Sequence, residues 1–599
     1  MIENKTPERI AALRAAMREH DVAACLVPSA DPHLSEYLPG RWQARAWLSG
    51  FTGSAGTLIV TQAFAGLWTD SRYFEQAERQ LAGSGVELVR LKVPHQPEHL
   101  EWLTGQLGSG DALAVDGACL SLAAQRRLQS ALASCETGIR TDLDLPGMVW
   151  SGRPDLPGAA IYEQPPEYAI RSRRDKLAEL RDAIRHAGAT HHLASALDEI
   201  AWLTNLRGSD VECNPVFLAH LLVDAESATL FVGAGKLPQE LVAQLAADGF
   251  TVADYGSVES CLASLPDSAR LLLDPAQVVT ALAASIPAAV TRIEQTGPLT
   301  RMKAVKSEGE LAHIRTTMRE DGAALVQAFH RIESALKKGE TVSELDVDAW
   351  LHEARAARPG FVGESFATIA GYMANGALPH YRATPESHAR LGRDGLLLVD
   401  SGGQYLGGTT DITRMWAFGR TTPGQRRDVA LVLKGMIRLS LAHFPAGASG
   451  PQLDALARAP LWRAGLDFGH GTGHGVGYFL NVHEGPHGIR PPAPGGALVA
   501  LQPGMITSIE PGVYKPGRHG VRHENLAVVV EAEETEFGRF FAFDTLTLCP
   551  IDTRALDIEL LDDQERDWLN AYHARVETEL APMLDDLDRA WLHARCKPV

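Results

Sequence analysis

Apolar residues recur at spacings of three and four in two places near the front of the chain, Ile10, Leu13, Met17 and, much later, Leu177, Leu180, Ile184. That spacing matches the 3.6-residue turn of an α-helix, so each set predicts an amphipathic helix with one buried stripe. A similar word follows each helix. Ala46-Trp47-Leu48-Ser49-Gly50-Phe51-Thr52-Gly53-Ser54 and Ala201-Trp202-Leu203-Thr204-Asn205-Leu206-Arg207-Gly208-Ser209 share five residues of nine. Behind each word come two strand-like apolar runs and a further helical pattern. These are Thr57 to Thr61, Gly66 to Asp70 and Ser71 to Leu81 in the first copy, and Leu221 to Asp224, Thr229 to Gly233 and Pro238 to Leu245 in the second. The same order of elements twice predicts a duplicated α/β domain. The helices lie 167 residues apart but the shared words only 155, which puts about twelve extra residues in the first copy, within Pro28 to Trp42.

Proline-rich stretches, Gly152-Arg153-Pro154-Asp155-Leu156-Pro157 and Gln164-Pro165-Pro166, separate the copies and predict a linker. After Gly297-Pro298 a long helix is announced by the capping box Ser307-x-x-Glu310 and by apolar Leu311, Ile314, Met318, Leu325, Phe329, Ile332 and Leu336. The expected organisation is therefore an α/β domain over 1–160, a second over 161–300, and a third region beginning near 301.

Composition narrows the class. The 599 residues are 45% hydrophobic and 22% charged, which is globular and leaves room for several cores. Acidic residues outnumber basic ones, 74 to 56, and no Lys/Arg run appears, so nucleic-acid binding is disfavoured. No stretch approaches the ~18 apolar residues of a membrane span, and Met1 to Arg9 carries charge where a signal peptide needs an apolar core. The seven cysteines form no CxxC pair, as expected of reduced thiols. A cytoplasmic protein is expected, with no membrane or nucleic-acid partner.

The candidate chemistry lies in the third region. Leu396-Leu397-Leu398-Val399-Asp400 is an apolar strand run ending in a carboxylate, and Ser401-Gly402-Gly403 turns the chain toward Thr410-Asp411-Ile412. An antiparallel return could bring Asp400 and Asp411 together, although an Asp at a strand end is, taken alone, more often a solvated turn residue. In His470-Gly471-Thr472-Gly473-His474-Gly475 the alternating glycines oppose a helix, and in extended chain His470 and His474 share a face. His483 follows nine residues later. Glu510 ends the β-favouring run Thr507-Ser508-Ile509, and Arg522-His523-Glu524-Asn525 leads into a second, read as one strand with Arg522 and Glu524 on a common face. Glutamate buried in a sheet is costly unless something positive compensates it. Two Asp, two Glu and one His would be compensated by a pair of divalent ions, and so oxygen-rich a set favours manganese or cobalt over an all-thiolate zinc site.

In order and context, Asp400-x10-Asp411, His474, Glu510 and Glu524 resemble the ligands of the pita-bread metallopeptidases. The surrounding words VDSGGQYLGGTTDITR, HGTGHGVGYFLNVHEGP, SIEPGVY and GVRHEN resemble the aminopeptidase P, or Xaa-Pro aminopeptidase, family. SGFTGSAGTLIV and LWTDSRYFEQA are similar to that family's first domain, and LTLCPID and WLNAYHARV to its C-terminal extension. The resemblance implies a catalytic domain over 301–540 and an extension over 541–599 packed upon it. It implies two divalent ions per chain, most simply Mn2+ with Co2+ or Zn2+ as alternatives, Asp411 and Glu524 bridging them, Asp400 on one, and His474 and Glu510 on the other. A hydroxide between the ions would be the nucleophile. His380 and His483 match substrate-side histidines, His470 a further active-site histidine, and Arg522 a residue near the substrate and Glu524. Peptides with proline second would be the substrates, and a homodimer the assembly. Gly407 and Met415 depart from the family pattern, where Asp and Thr are common. Two rivals stay open: a prolidase restricted to Xaa-Pro dipeptides, and a metal-free pita-bread module that binds peptide or protein.

Overall fold

Ile10, Leu13 and Met17 are buried on the helix Thr6–Glu19, and Leu177, Leu180 and Ile184 on the helix Arg173–His186. The computed structural model describes residues 5–92, 97–492 and 498–599, so Met1 to Asn4 of the charged N-terminal stretch lie outside the described residues. The chain divides into two units, residues 1–164 with 171–300, and residues 165–170 with 301–599.

The first unit contains two six-stranded sheets of identical order. One runs Glu87–Arg90, Ala65–Thr69, Thr57–Thr61, Ala24–Val27, Ala112–Ala114, Gly138–Arg140; the other runs Thr251–Asp254, Ala228–Val232, Ala219–Val223, His191–Ala194, Arg270–Leu273, Thr291–Glu294. In both, the strand after the first helix pairs antiparallel on one side and parallel on the other. The duplication is thus a duplication of topology. Residues 28–43 separate the first copy's strand from its helix Ala44–Ser49, where only residues 195–196 separate the counterparts His191–Ala194 and Leu197–Thr204. The longer connection does work of its own. From it His33 Nδ1–H donates to Ser195 O at 2.9 Å, and His33 Nε2 accepts from the Tyr255 hydroxyl at 2.8 Å, tying the first α/β half to the second.

The second unit repeats a different plan, a helix pair followed by antiparallel strands. Glu308–Lys337 and Glu344–Ala356 precede the sheet Ile369–Tyr372, Gly395–Ser401, Ile412–Phe418. Pro423–Ser440 and Gly450–Arg463, with the edge strand His443–Pro445 between them in the chain, precede the other strands of the sheet His443–Pro445, Gly538–Thr545, Asn525–Thr535, Ile506–Ile509, Gly473–Gly475, Glu484–Ile489. The box Ser307–Glu310 caps the first helix as its sequence predicts. Its inner face, including Leu325, Phe329 and Ile332, joins Leu396 to Val399, Trp416 and the 423–440 helix in one core. Helices Asp563–Leu580 and Asp586–Arg595 close that core, with Trp591 5.6 Å from Trp416 and its indole N–H donating to Glu333 at 3.0 Å. Among the described residues no helix is long and apolar enough to cross a membrane.

Candidate metal centre

Strand pairing gathers the carboxylates. Asp400 sits opposite Thr413 in the pair Gly395–Ser401 and Ile412–Phe418, so the antiparallel return puts Asp411 at the same end of that sheet. In the neighbouring sheet Ile509 pairs with Asn525, which sets Glu510 and Glu524 side by side. The two sheets are stitched at this point: Glu524 N–H donates to Thr413 O at 3.1 Å, and Thr413 Oγ1 donates to Glu524 Oε2 at 3.0 Å. Behind them Arg414 donates to Glu524 O at 2.7 Å and to Asn525 Oδ1 at 2.8 Å, and reaches Tyr572 of the C-terminal helices at 2.7 Å. The rear of the ligand strands is therefore fixed by a buried guanidinium.

His474 lies in the strand Gly473–Gly475. A Cβ on Gly473 would collide with Ser508 O and one on Gly475 with Glu484 O, so the glycines admit the close backbone approach their alternation predicts. His474 Nε2 stands 3.4 Å from Asp411 Oδ2 and 3.5 Å from Glu510 Oε1. Asp411, His474 and Glu524 present ligand-type atoms all within 4.8 Å of one another. His470 reaches the other oxygen of Glu510, at 4.0 Å, so both histidines do face one carboxylate. The His483 ring packs edge-on against His474 with centroids 4.4 Å apart. His380 follows Pro379, whose carbonyl accepts from Arg522 at 3.3 Å.

Arg522 and Glu524 do not share a strand. The strand His519–Arg522 ends there and Asn525–Thr535 begins after a two-residue break at 523–524, and both side chains still reach the centre. Continuous alternation was the expectation, and the strand is broken because its two parts pair within different sheets. Arg522 forms an ion pair with Asp400 and donates to the Tyr514 hydroxyl at 2.5 Å. Tyr514 in turn donates to His470 Nε2 at 2.8 Å, since His470 Nδ1–H is committed to Gly471 O at 2.7 Å. Sequence reasoning missed Tyr514. The signal was present, because Glu510, Gly512 and Tyr514 alternate along extended chain and so face the same way. Met415 is buried in the core and Gly407 packs on Thr317 and His313, so the two family departures stand outside the cluster.

Electrostatically the centre is overloaded with negative charge. Asp400, Asp411 and Glu524 are 8%, 4% and 1% exposed. Burial, opposed by Arg522 and reinforced by Asp411 and Glu510, pushes the Asp400 carboxyl up to about 6. Burial also raises Glu510, and with the neighbouring carboxylates lifts Glu524 well above its ordinary range. For His474 burial pulls down, yet the Asp411 hydrogen bond and the Glu510 charge prevail and lift it to about 9. Asp400 Oδ1 and Glu524 Oε1 are buried without a hydrogen-bond partner. Unpartnered oxygens on buried carboxylates fit divalent cations, which also remove the repulsion among them.

Four family models match in succession: a creatinase/prolidase N-terminal domain over residues 9–147, another over 152–310, metallopeptidase family M24 over 316–531, and the C-terminal region of M24 peptidases over 539–599. A probable Xaa-Pro aminopeptidase P of Laccaria bicolor is 38% identical, covering 99% of this chain and 94% of its own. Aminopeptidase P2 of Arabidopsis thaliana is also 38% identical, covering 99% and 88%. A crystal structure of X-prolyl aminopeptidase from Caenorhabditis elegans, described as a cytosolic enzyme with a di-nuclear active site, superposes with a TM-score of 0.94 at 32% identity over 99% of this chain and 100% of that one. The chain belongs to metallopeptidase family M24, in the form that carries two creatinase/prolidase N-terminal domains.

Proposed function

We propose that this protein is a dinuclear metallo-aminopeptidase that releases the N-terminal residue from peptides with proline at position two, using manganese and acting in the cytoplasm as a homodimer. One observation carries the reading: Asp411, Glu510 and Glu524 converge on His474, Asp400 adds its charge to theirs, and Asp400 and Glu524 hold buried oxygens with no partner. The likeness to proteins named Xaa-Pro aminopeptidase supports the substrate, and the description of the C. elegans enzyme as cytosolic supports the compartment. Asp411 and Glu524 would be shared by both ions, with Asp400 holding one and His474 and Glu510 the other.

When bound, two divalent ions supply the charge the carboxylates lack, lower the pKa of a water so that it serves as nucleophile, and polarise the scissile carbonyl. The remaining work belongs to side chains. His380 and His483 donate to the carbonyl oxygen as negative charge builds on it. His470, Tyr514 and Arg522 form a hydrogen-bonded row ending on Asp400, which fixes the direction of that carboxylate. A dedicated enzyme is needed because an Xaa-Pro bond has no N–H, a fixed φ and a cis population.

The test is release of the first residue with manganese returned after chelation. Xaa-Pro-Yaa peptides are expected to show higher kcat/KM than the matching Xaa-Pro dipeptide, and alanine at position two to lower the rate sharply. Cleavage of the dipeptide alone would mark a prolidase; neither bound metal nor hydrolysis would mark a binding module.

A further inference from the structure

Glu344 is a buried carboxylate the reaction does not use. It opens the helix Glu344–Ala356, behind the capping residue Ser343, yet its side chain turns inward and is 0% exposed. Among the described residues no ion pair engages it. Instead it accepts five hydrogen bonds: Oε1 from Tyr372 N–H at 2.6 Å and Asn375 Nδ2 at 3.0 Å, and Oε2 from Tyr381 O–H at 2.8 Å, Ala389 N–H at 2.6 Å and Asn375 Nδ2 at 3.1 Å. The first turn of a helix favours an anion, and a carboxylate so fully solvated by donors is stable without a cation.

Every donor comes from the stretch 372–389, which carries His380. Tyr381 is 6% exposed in the core, and its hydroxyl also accepts from Asn375 at 3.0 Å. Its neighbour on the other side of His380, Pro379, is held through its carbonyl by Arg522 at 3.3 Å. His380 therefore projects from a segment clamped between the metal centre and Glu344.

We infer that Glu344 is the positioning residue for His380, acting through Tyr381. This rests on His380 being a substrate-side histidine, as proposed above. A glutamine at 344 cannot replace the carboxylate, because either orientation of the amide sets N–H against the backbone N–H of Tyr372 or of Ala389. Displacement of a catalytic group by about 1 Å costs on the order of a hundredfold in rate.

Glu344→Gln is expected to lower kcat by roughly tenfold to a hundredfold with KM and bound metal unchanged. Tyr381→Phe, which removes the hydroxyl that links Glu344, Ser387 O and Asn375 and keeps the ring in the core, should lower kcat several-fold in the same way and serves if Glu344→Gln does not fold. The decisive comparison is in the His380→Ala background, where neither substitution should reduce kcat further. Multiplication of the losses there, or loss of metal in Glu344→Gln, would overturn the inference. A His380→Ala enzyme with wild-type kcat would overturn the reading of His380 itself and the inference with it.

Discussion

The second unit buries carboxylates in two different ways. Glu333 and Glu344 each meet donors enough: Glu333 the Arg554 and Arg595 guanidinia and the Trp591 indole, Glu344 its five hydrogen bonds. Asp400, Asp411, Glu510 and Glu524 crowd together with Arg522 and His474 as their basic partners, and Asp400 and Glu524 keep unpartnered oxygens. The first set is complete within the chain; the second is complete only with cations added. Titration separates them too. Burial is outweighed by Arg595 and Arg554 at Glu333, whose carboxyl is lowered, while burial prevails at Asp400 and Glu524.

The largest effect that can break this distinction is at Asp411 and Glu524, the two residues proposed to bridge the ions. Asp411→Ala or Glu524→Ala should lower turnover by at least about a thousandfold and cut bound metal, measured by elemental analysis, while melting stays cooperative. Substantial activity with full metal in either variant would contradict the ligand assignment. The histidines sharpen the same division at the next scale. His474→Ala should lose metal, whereas His380→Ala and His483→Ala should retain both ions and lose roughly a hundredfold to a thousandfold in kcat. Equal metal loss in all three would erase the difference between ligand and substrate-side groups.

Much of this was legible in the sequence because the signals are local. Helical stripes such as Ile10-Leu13-Met17, the Ser307–Glu310 box and alternating glycines around His474 each act within a few residues, so periodicity exposes them. The four candidate carboxylates stood out because acidic groups at the ends of apolar runs conflict with burial. Glu344 and Arg414 were invisible for the opposite reason. Glu344 acts on residues 28 to 45 positions away and Arg414 on residues more than a hundred away, and nothing in their neighbours announces either contact. The break at His523-Glu524 escaped notice since sheet membership, which ends the strand there, is a tertiary property.

Stability gives a third test in which the two sets should respond with opposite sign. Glu333→Gln takes the carboxylate from Arg595 and one of two from Arg554, which keeps Asp552, and should destabilise by about 3 kcal/mol in denaturant unfolding, with metal content and kcat intact. Glu524→Gln in metal-free protein at neutral pH should leave stability unchanged or raise it, because burial and the neighbouring carboxylates already disfavour a charge at that position and the amide carries none. A loss at Glu524→Gln as large as at Glu333→Gln would mean that the centre is held together by its carboxylates without cations.

The smallest effect is the pH dependence of the metal-free protein. An aspartate has an unfolded pKa near about 4, and Asp400 stands at about 6 in the fold, so the folded state binds its proton more tightly. Its contribution to stability is therefore complete below about pH 4 and is lost as pH rises through about 6, a change of roughly 2 to 3 kcal/mol. Glu333, lowered in the fold, has the reverse sign: its contribution is present above its unfolded value and lost as pH falls through the folded one. Urea unfolding of metal-free protein at pH 4.5 and 7.5, with wild type compared with Asp400→Asn, reads the contribution of Asp400 together with its effect on the neighbouring carboxylates, since the remaining titrating groups are common to both. Wild type should lose stability relative to the variant as pH rises across that range. Saturating manganese should reverse the trend, because ions compete with the protons and bind more tightly as the carboxylates ionise. Parallel pH profiles for wild type and Asp400→Asn without metal would place Asp400 with the self-sufficient carboxylates and dissolve the contrast at that position.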